Sequence, residues 1–112
     1  MEKVEKICPV AFTLDLLGGK WKLLVLYQLS QGTKRFKELE RLIPLVTPRM
    51  LIKVLKELER QGVIHREIYP VVPPKVEYSL TEEGRTVLPL IREIKQWGSS
   101  YLERAQPTKA NN

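Results

Sequence analysis

The sixteen residues Thr47 to Gly62, TPRMLIKVLKELERQG, sort two chemistries onto opposite faces of one predicted helix. At about 100° per residue, Leu51, Val54, Leu55 and Leu58 fall within roughly a third of the circumference. Arg49, Lys53, Lys56 and Arg60 fall within about 60° of one another on the far side. Such a helix buries one stripe in a core and offers four cations to something outside. Thr47 is suited to cap it, with Pro48 at the first helical position, where a missing N–H costs nothing. Gly62 stops it.

A charged face alone means no more than solvation, so the flanks decide. Upstream, Phe36, Leu39 and Leu42 recur at i, i+3 and i+6, which predicts a short helix from Arg35 to Leu42. Pro44 ends it, and Leu45-Val46 lead tightly into the capped helix. Two helices joined by a short turn, the second carrying a basic stripe, form a helix-turn-helix pattern over about residues 35–61. After Gly62 the period changes. Val63–Ile68 and Val76–Leu80 alternate as strands, and Tyr69-Pro70-Val71-Val72-Pro73-Pro74-Lys75 between them is kept out of helix by three prolines. Strand, stiff loop and strand make a wing over about 63–80. From Thr81, itself a cap for Glu82 and Glu83, helical spacing returns through Val87, Leu90, Ile91, Ile94, Trp97 and Tyr101. Pro89 predicts a kink or a restart there. Upstream of the pattern lie two more helices, Pro9–Leu17 and Lys20–Ser30, separated by Gly18-Gly19. The second carries Trp21, Leu24, Val25 and Tyr27 to Leu29 and is expected to be central.

The totals agree with a single domain. A chain of 112 residues with 43% apolar content has one core and no room for a second. Net charge is +6, and Lys34 to Lys75 hold ten Lys or Arg against five Glu, so nearly all the excess sits on the two helices and the wing. That concentration points to a polyanion. No apolar run approaches the roughly 20 residues that span a bilayer. The charged start, MEKVEKICPV, lacks the apolar centre of a signal peptide, so the expected location is the cytoplasm. One cysteine, Cys8, excludes an intramolecular disulfide and leaves a bridge between two chains open. The chain has one His, one Cys and one Asp, with no phosphate-cradling loop, nucleophile elbow or zinc spacing. Catalysis, a metal and a cofactor are therefore not expected.

Four strings, CPVAFTLDLLGGKWKLLVLYQL, RFKELERLIP, PRMLIKVLKELERQGVIHREIYPVVPPKVEYSLTEEGRTVLPLI and QWG, stand in an order that resembles the HxlR-type winged helix-turn-helix regulators, relatives of the MarR type. The resemblance covers about residues 7–104. It implies a mainly helical fold with a small β-wing, and a homodimer joined through its N- and C-terminal helices, the latter about 85–105. It also implies operator binding that regulates a neighbouring gene. Many relatives carry Gly-Ile-Ser where this chain has Leu45-Val46-Thr47. Relatives that sense oxidants through two cysteines are a poor guide, because only the N-terminal one is present.

Together with the resemblance, the residues lead to the expectation of a dimeric, sequence-specific binder of double-stranded DNA, acting as a repressor on a pseudo-palindromic operator. Arg49, Lys53 and Lys56 are the candidates for the major groove and its phosphates, with Thr47 and the helix N-terminus toward the backbone. Arg49, nearest that end, is the candidate for bidentate guanine contact. Lys34, Arg35 and Lys37 are candidate phosphate clamps. Arg66, Tyr69 and Lys75 are the wing's candidates for the adjacent groove or backbone. Cys8 admits two readings: a small hydrophobe at a dimer seam, or a regulatory thiol tuned by Lys3 and Lys6 and open to oxidants or electrophiles. Trp21, Trp97, Phe12, Leu90 and Ile94 admit a small-molecule inducer cavity between subunits, or simple core and dimer packing. The alternative from another class is a winged helix used for protein–protein contact without sequence-specific DNA binding.

Overall fold

The structure, a computed structural model, describes residues 7–105. Lys3, Lys6 and the stretch 106–112 lie outside them. Six helices and three strands follow in order: α1 (Pro9–Leu17), α2 (Lys22–Leu29), β1 (Lys34–Arg35), α3 (Phe36–Leu42), α4 (Pro48–Arg60), β2 (Ile64–Tyr69), β3 (Lys75–Leu80), α5 (Glu82–Arg85) and α6 (Leu88–Ala105). The architecture is winged helix-turn-helix, as the pattern predicts.

The core gathers beneath α4. Leu51, Val54, Leu55 and Leu58 are all buried, and they pack with Val25, Leu26 and Leu29 of α2, Leu39 of α3, and Ile64 and Leu80 of the sheet. Each fully buried leucine contributes about 2 kcal/mol by leaving water. The amphipathic reading of α4 therefore holds on its apolar side.

Both ends of α4 are closed by sequence-specific devices. The Thr47 hydroxyl oxygen accepts from the Met50 amide at 3.1 Å, and Pro48 occupies the first turn. At the far end Gly62 adopts φ +79°. Its amide donates to the Glu59 carbonyl at 3.0 Å while the Val63 amide donates to Leu58 at 3.2 Å. These paired bonds form a Schellman motif, and the left-handed residue it requires is a glycine. Thr81 then locks the sheet onto this corner: its hydroxyl donates to the Gly62 carbonyl at 2.6 Å and its oxygen accepts from the Gly84 amide at 3.0 Å. Gly84 packs so closely that a Cβ there would overlap the Val63 carbonyl.

Several sequence expectations need correction. The wing is the larger part of a three-stranded antiparallel sheet in the order β1-β3-β2, not a two-stranded ribbon. Lys34 and Arg35 pair with Tyr78 and Glu77, so Arg35 belongs to a strand and α3 starts at Phe36. A two-residue strand carries no periodicity, which is why the alternation did not reveal it. Leu42 is exposed and Ile43 is buried in its place, because the chain leaves helical geometry there. In α2, which starts at Lys22 rather than Lys20, Leu26 is fully buried while Leu24 is exposed. Pro89 marks a restart: α5 is a single turn capped by Thr81, and α6 begins at Leu88. Among the described residues, no helix is long and apolar enough to cross a membrane.

Candidate nucleic-acid interface

The exposed face of α4 carries a stripe of four cations. Arg49, Lys53, Lys56 and Arg60 are all exposed, opposite the four buried residues. They take part in none of the ion pairs among the described residues, in contrast to Lys22, Lys37, Arg66 and Lys75. Four cations without acidic partners are free to meet phosphates or base edges. At the N-terminal end, Pro48 has no N–H, Met50 donates to Thr47 Oγ1 and Leu51 donates to the Thr47 carbonyl. The Arg49 amide is thus left as the open donor of the first turn, beside its own guanidinium. The Thr47 oxygen is occupied by its cap bond, and its hydroxyl proton stays available to an acceptor.

Around α4 the expected contacts separate into free and tethered groups. Lys34 lies at the start of β1, its Nζ donating to the Gly32 carbonyl at 3.3 Å. Arg35 is exposed at the N-cap of α3, and its amide donates to Glu38 Oε1 at 2.7 Å. Lys37 is highly exposed and only loosely paired with Glu40 at 3.8 Å. These three stand on one short segment, as phosphate clamps need. Arg66, expected to reach outward from the wing, instead turns back onto α4: its Nε lies 3.4 Å from Glu59 Oε1. Lys75 is held by Glu77 at 3.6 Å and sits 4.8 Å from the Tyr69 ring centroid. Tyr69 shares this cluster, and its hydroxyl is pushed above its ordinary range chiefly by hydrogen bonding to Glu77. Lys75 and Tyr69 therefore present one joined cation–aromatic unit beside the proline-rich tip.

Two residues that pattern reading did not single out shape the interface. Glu57 binds Lys22 Nζ at 3.4 Å, and that ammonium also donates to the Leu16 carbonyl at 3.1 Å. Glu59 holds Arg66. A carboxylate beside lysines on a helix reads as solubilising charge, and only the fold brings in its distant partner.

Cys8 occupies the N-cap position of α1 and is exposed. The first-turn amides, Ala11 foremost and then Val10, draw its thiol below the ordinary value, while no full cap hydrogen bond to the side chain forms. The inducer-cavity residues do not assemble as one lining. Leu90 and Ile94 border an open apolar groove of about 380 Å³ with Pro9, Val10, Thr13, Leu14, Leu17 and Leu23. Trp21 instead faces Met50 and Val54 of α4 across a separate cleft, and Trp97 stacks on Tyr101 at 5.2 Å. Phe12 is exposed on α1.

The HxlR-like helix-turn-helix family model matches residues 16–106. The uncharacterized HTH-type transcriptional regulator YdeP of Bacillus subtilis (strain 168) is 57% identical over 103 residues, 92% of this chain and 80% of that protein. A regulator of the same description from Methanothermobacter thermautotrophicus is 50% identical over 97 residues, 87% of this chain and 74% of that one. Among solved structures, the redox regulator HypR in its oxidized form is similar at TM-score 0.80 and 56% identity, covering 83% of this chain and 96% of that one. The diamide-treated regulator YodB of B. subtilis is similar at TM-score 0.70 and 36% identity, covering 85% and 95%. This chain belongs to the HxlR-like helix-turn-helix family of transcription regulators.

Proposed function

We propose that this regulator binds duplex DNA sequence-specifically as a homodimer, with α4 in the major groove and the β2–β3 wing beside it. The observation that carries this reading is the α4 stripe: four exposed cations without acidic partners, backed by a fully packed apolar face. Its rigidity fixes where those cations point, and that is what separates a sequence reader from a basic surface. A dimer places two such helices about 34–36 Å apart on successive turns of a pseudo-palindrome. Repression by occlusion is the sign of regulation we propose.

Cys8 supplies the inducible element of the same reading. Its exposure and its lowered thiol favour the thiolate, the form that oxidants and electrophiles attack. HypR, to which this chain is similar, is described as a redox regulator, which supports a redox response here.

The test is a titration of the promoter regions of the protein's own gene and its neighbour against random competitor, at two salt concentrations, with and without diamide. Two symmetric protected half-sites are expected, lost on oxidation in the wild type and retained in Cys8→Ser. Weak, sequence-blind binding erased by salt overturns the reading in favour of a protein–protein contact module.

A further inference from the structure

The two carboxylates of α4 flank the cationic stripe with near-mirror symmetry. Taking the Arg49 direction as zero and advancing about 100° per residue, Lys53, Arg60 and Lys56 stay within about 40° of it. Glu57 lies about 80° to one side and Glu59 about 80° to the other. The buried residues point the opposite way. Each carboxylate is tied to a cation from a different neighbour. Glu57 is held by Lys22 at the start of α2, a lysine whose side chain is 12% exposed and which also donates to the last turn of α1 through the Leu16 carbonyl. Glu59 is held by Arg66 of β2 through both carboxylate oxygens, at 3.4 and 3.5 Å.

We infer that these two tethers fix the roll of α4 about its own axis, making Glu57 and Glu59 positioning residues for sequence discrimination. The leucine stripe packed in the core seats the helix and sets its general rotation, and the ion pairs, whose hydrogen bonds are directional, set the last degrees of roll. Ion pairs on opposite flanks pull against each other, so rotation in either sense stretches one of them. At the base edge of a groove, hydrogen-bond geometry fails within a fraction of an ångström or some tens of degrees. Phosphate attraction tolerates such a rotation, because it depends on charge more than on angle. The tethers should therefore matter to the ratio of operator to random binding and little to random binding itself. They should matter less to stability than to discrimination, since exposed ion pairs contribute little and Lys22 keeps its bond to the Leu16 carbonyl when Glu57 is removed.

This inference rests on the reading that α4 enters the groove. The test uses the full chain and a duplex selected from a random-sequence pool by the wild type, with a scrambled duplex of equal length as control. Glu57→Ala, Glu59→Ala and their combination are compared with Glu57→Gln and Glu59→Gln. Ala and Gln remove the same charge, but Gln keeps a carbonyl that can accept from Lys22 or Arg66. The Ala variants are expected to lose about tenfold in the operator-to-scrambled ratio, roughly one base contact, with thermal midpoints close to wild type. The Gln variants should keep most of the ratio. If removing a carboxylate acts only through charge, affinity for both duplexes rises in parallel for Ala and Gln alike, and the inference is overturned. It is equally overturned if the wild type discriminates and the double Ala variant discriminates just as well. A wild type that selects no duplex removes the groove reading beneath it, a result distinct from either.

Discussion

At the scale of single residues, the sharpest contrast is between Arg49 and Lys34. Arg49 projects from the first turn of α4 beside an open backbone donor, whereas Lys34 sits at the start of β1, bonded to the Gly32 carbonyl. Arg49→Ala is expected to cost about 1–3 kcal/mol on the operator and to relax preference at one base pair. Lys34→Ala should weaken operator and random DNA alike and reduce the salt slope by about 1. Titrations of both duplexes at several salt concentrations check the pair, and identical behaviour of the two variants would remove the distinction. Leu45 poses a separate question. It holds φ +70° in the turn between α3 and α4, with 85% of its surface exposed. A side chain in that conformation costs roughly 1–2 kcal/mol, while glycine loses about 0.5–1 kcal/mol more entropy on folding. Leu45→Gly should thus stabilise the fold by about 0.5–1 kcal/mol in chemical denaturation. A loss of DNA binding without loss of stability would show that the exposed leucine is itself a contact.

The elements differ in how plainly the sequence announces them, and the reason is physical. The boundaries of α4 were legible because three local devices coincide there: a threonine cap, a proline at the first position and a glycine in the left-handed region. The pairing of Lys34 and Arg35 with β3 was not, because two residues have no period and their partners lie some forty positions away. The same holds at the site. The cationic stripe is a property of one helix and could be read off it. The capture of Arg66 by Glu59, or of Lys22 by Glu57, depends on how separate elements dock. On β3, Tyr78 gives a test of that docking. Burial pushes its hydroxyl above the ordinary value of 10.0, with Glu59 adding to the rise and Arg66 opposing it. A folded value above the unfolded one means a contribution that is complete below the unfolded value and lost as pH climbs through the folded one. Thermal midpoints of the wild type should therefore fall more steeply than those of Tyr78→Phe once pH rises past about 10. Parallel curves would mean that Tyr78 ionises as freely folded as unfolded.

For the molecule as a whole, the unmatched feature is the apolar surface of its two terminal helices. Leu90, Ile94, Trp97 and Tyr101 form an exposed stripe along α6 at spacings of four, three and four, while Val10, Phe12 and Leu14 are exposed on α1. The Cα radius of gyration is 16.8 Å, where a compact chain of this length would have about 13 Å. Such a surface suits a second copy, and the proposed dimer makes two linked demands on experiment. Trp97 contacts Tyr101 and is 65% exposed, so a charge there should spare the protomer's own core. Trp97→Glu is expected to sediment as a monomer where the wild type is a dimer, and to bind the operator at least about tenfold more weakly while its binding to random DNA changes little. DNA geometry supplies the second demand. Half-sites one turn apart face the same side of the duplex, about 10–10.5 base pairs centre to centre. Inserting about five base pairs between them turns one half-site to the opposite face, so the wild type should lose the operator as thoroughly as Trp97→Glu does, and about ten should not restore it, because the half-sites then stand two turns apart and the dimer's helices only one. Binding that ignores the insertion, from a wild type that sediments as a single chain, would overturn the dimer and leave each wing and helix to act alone.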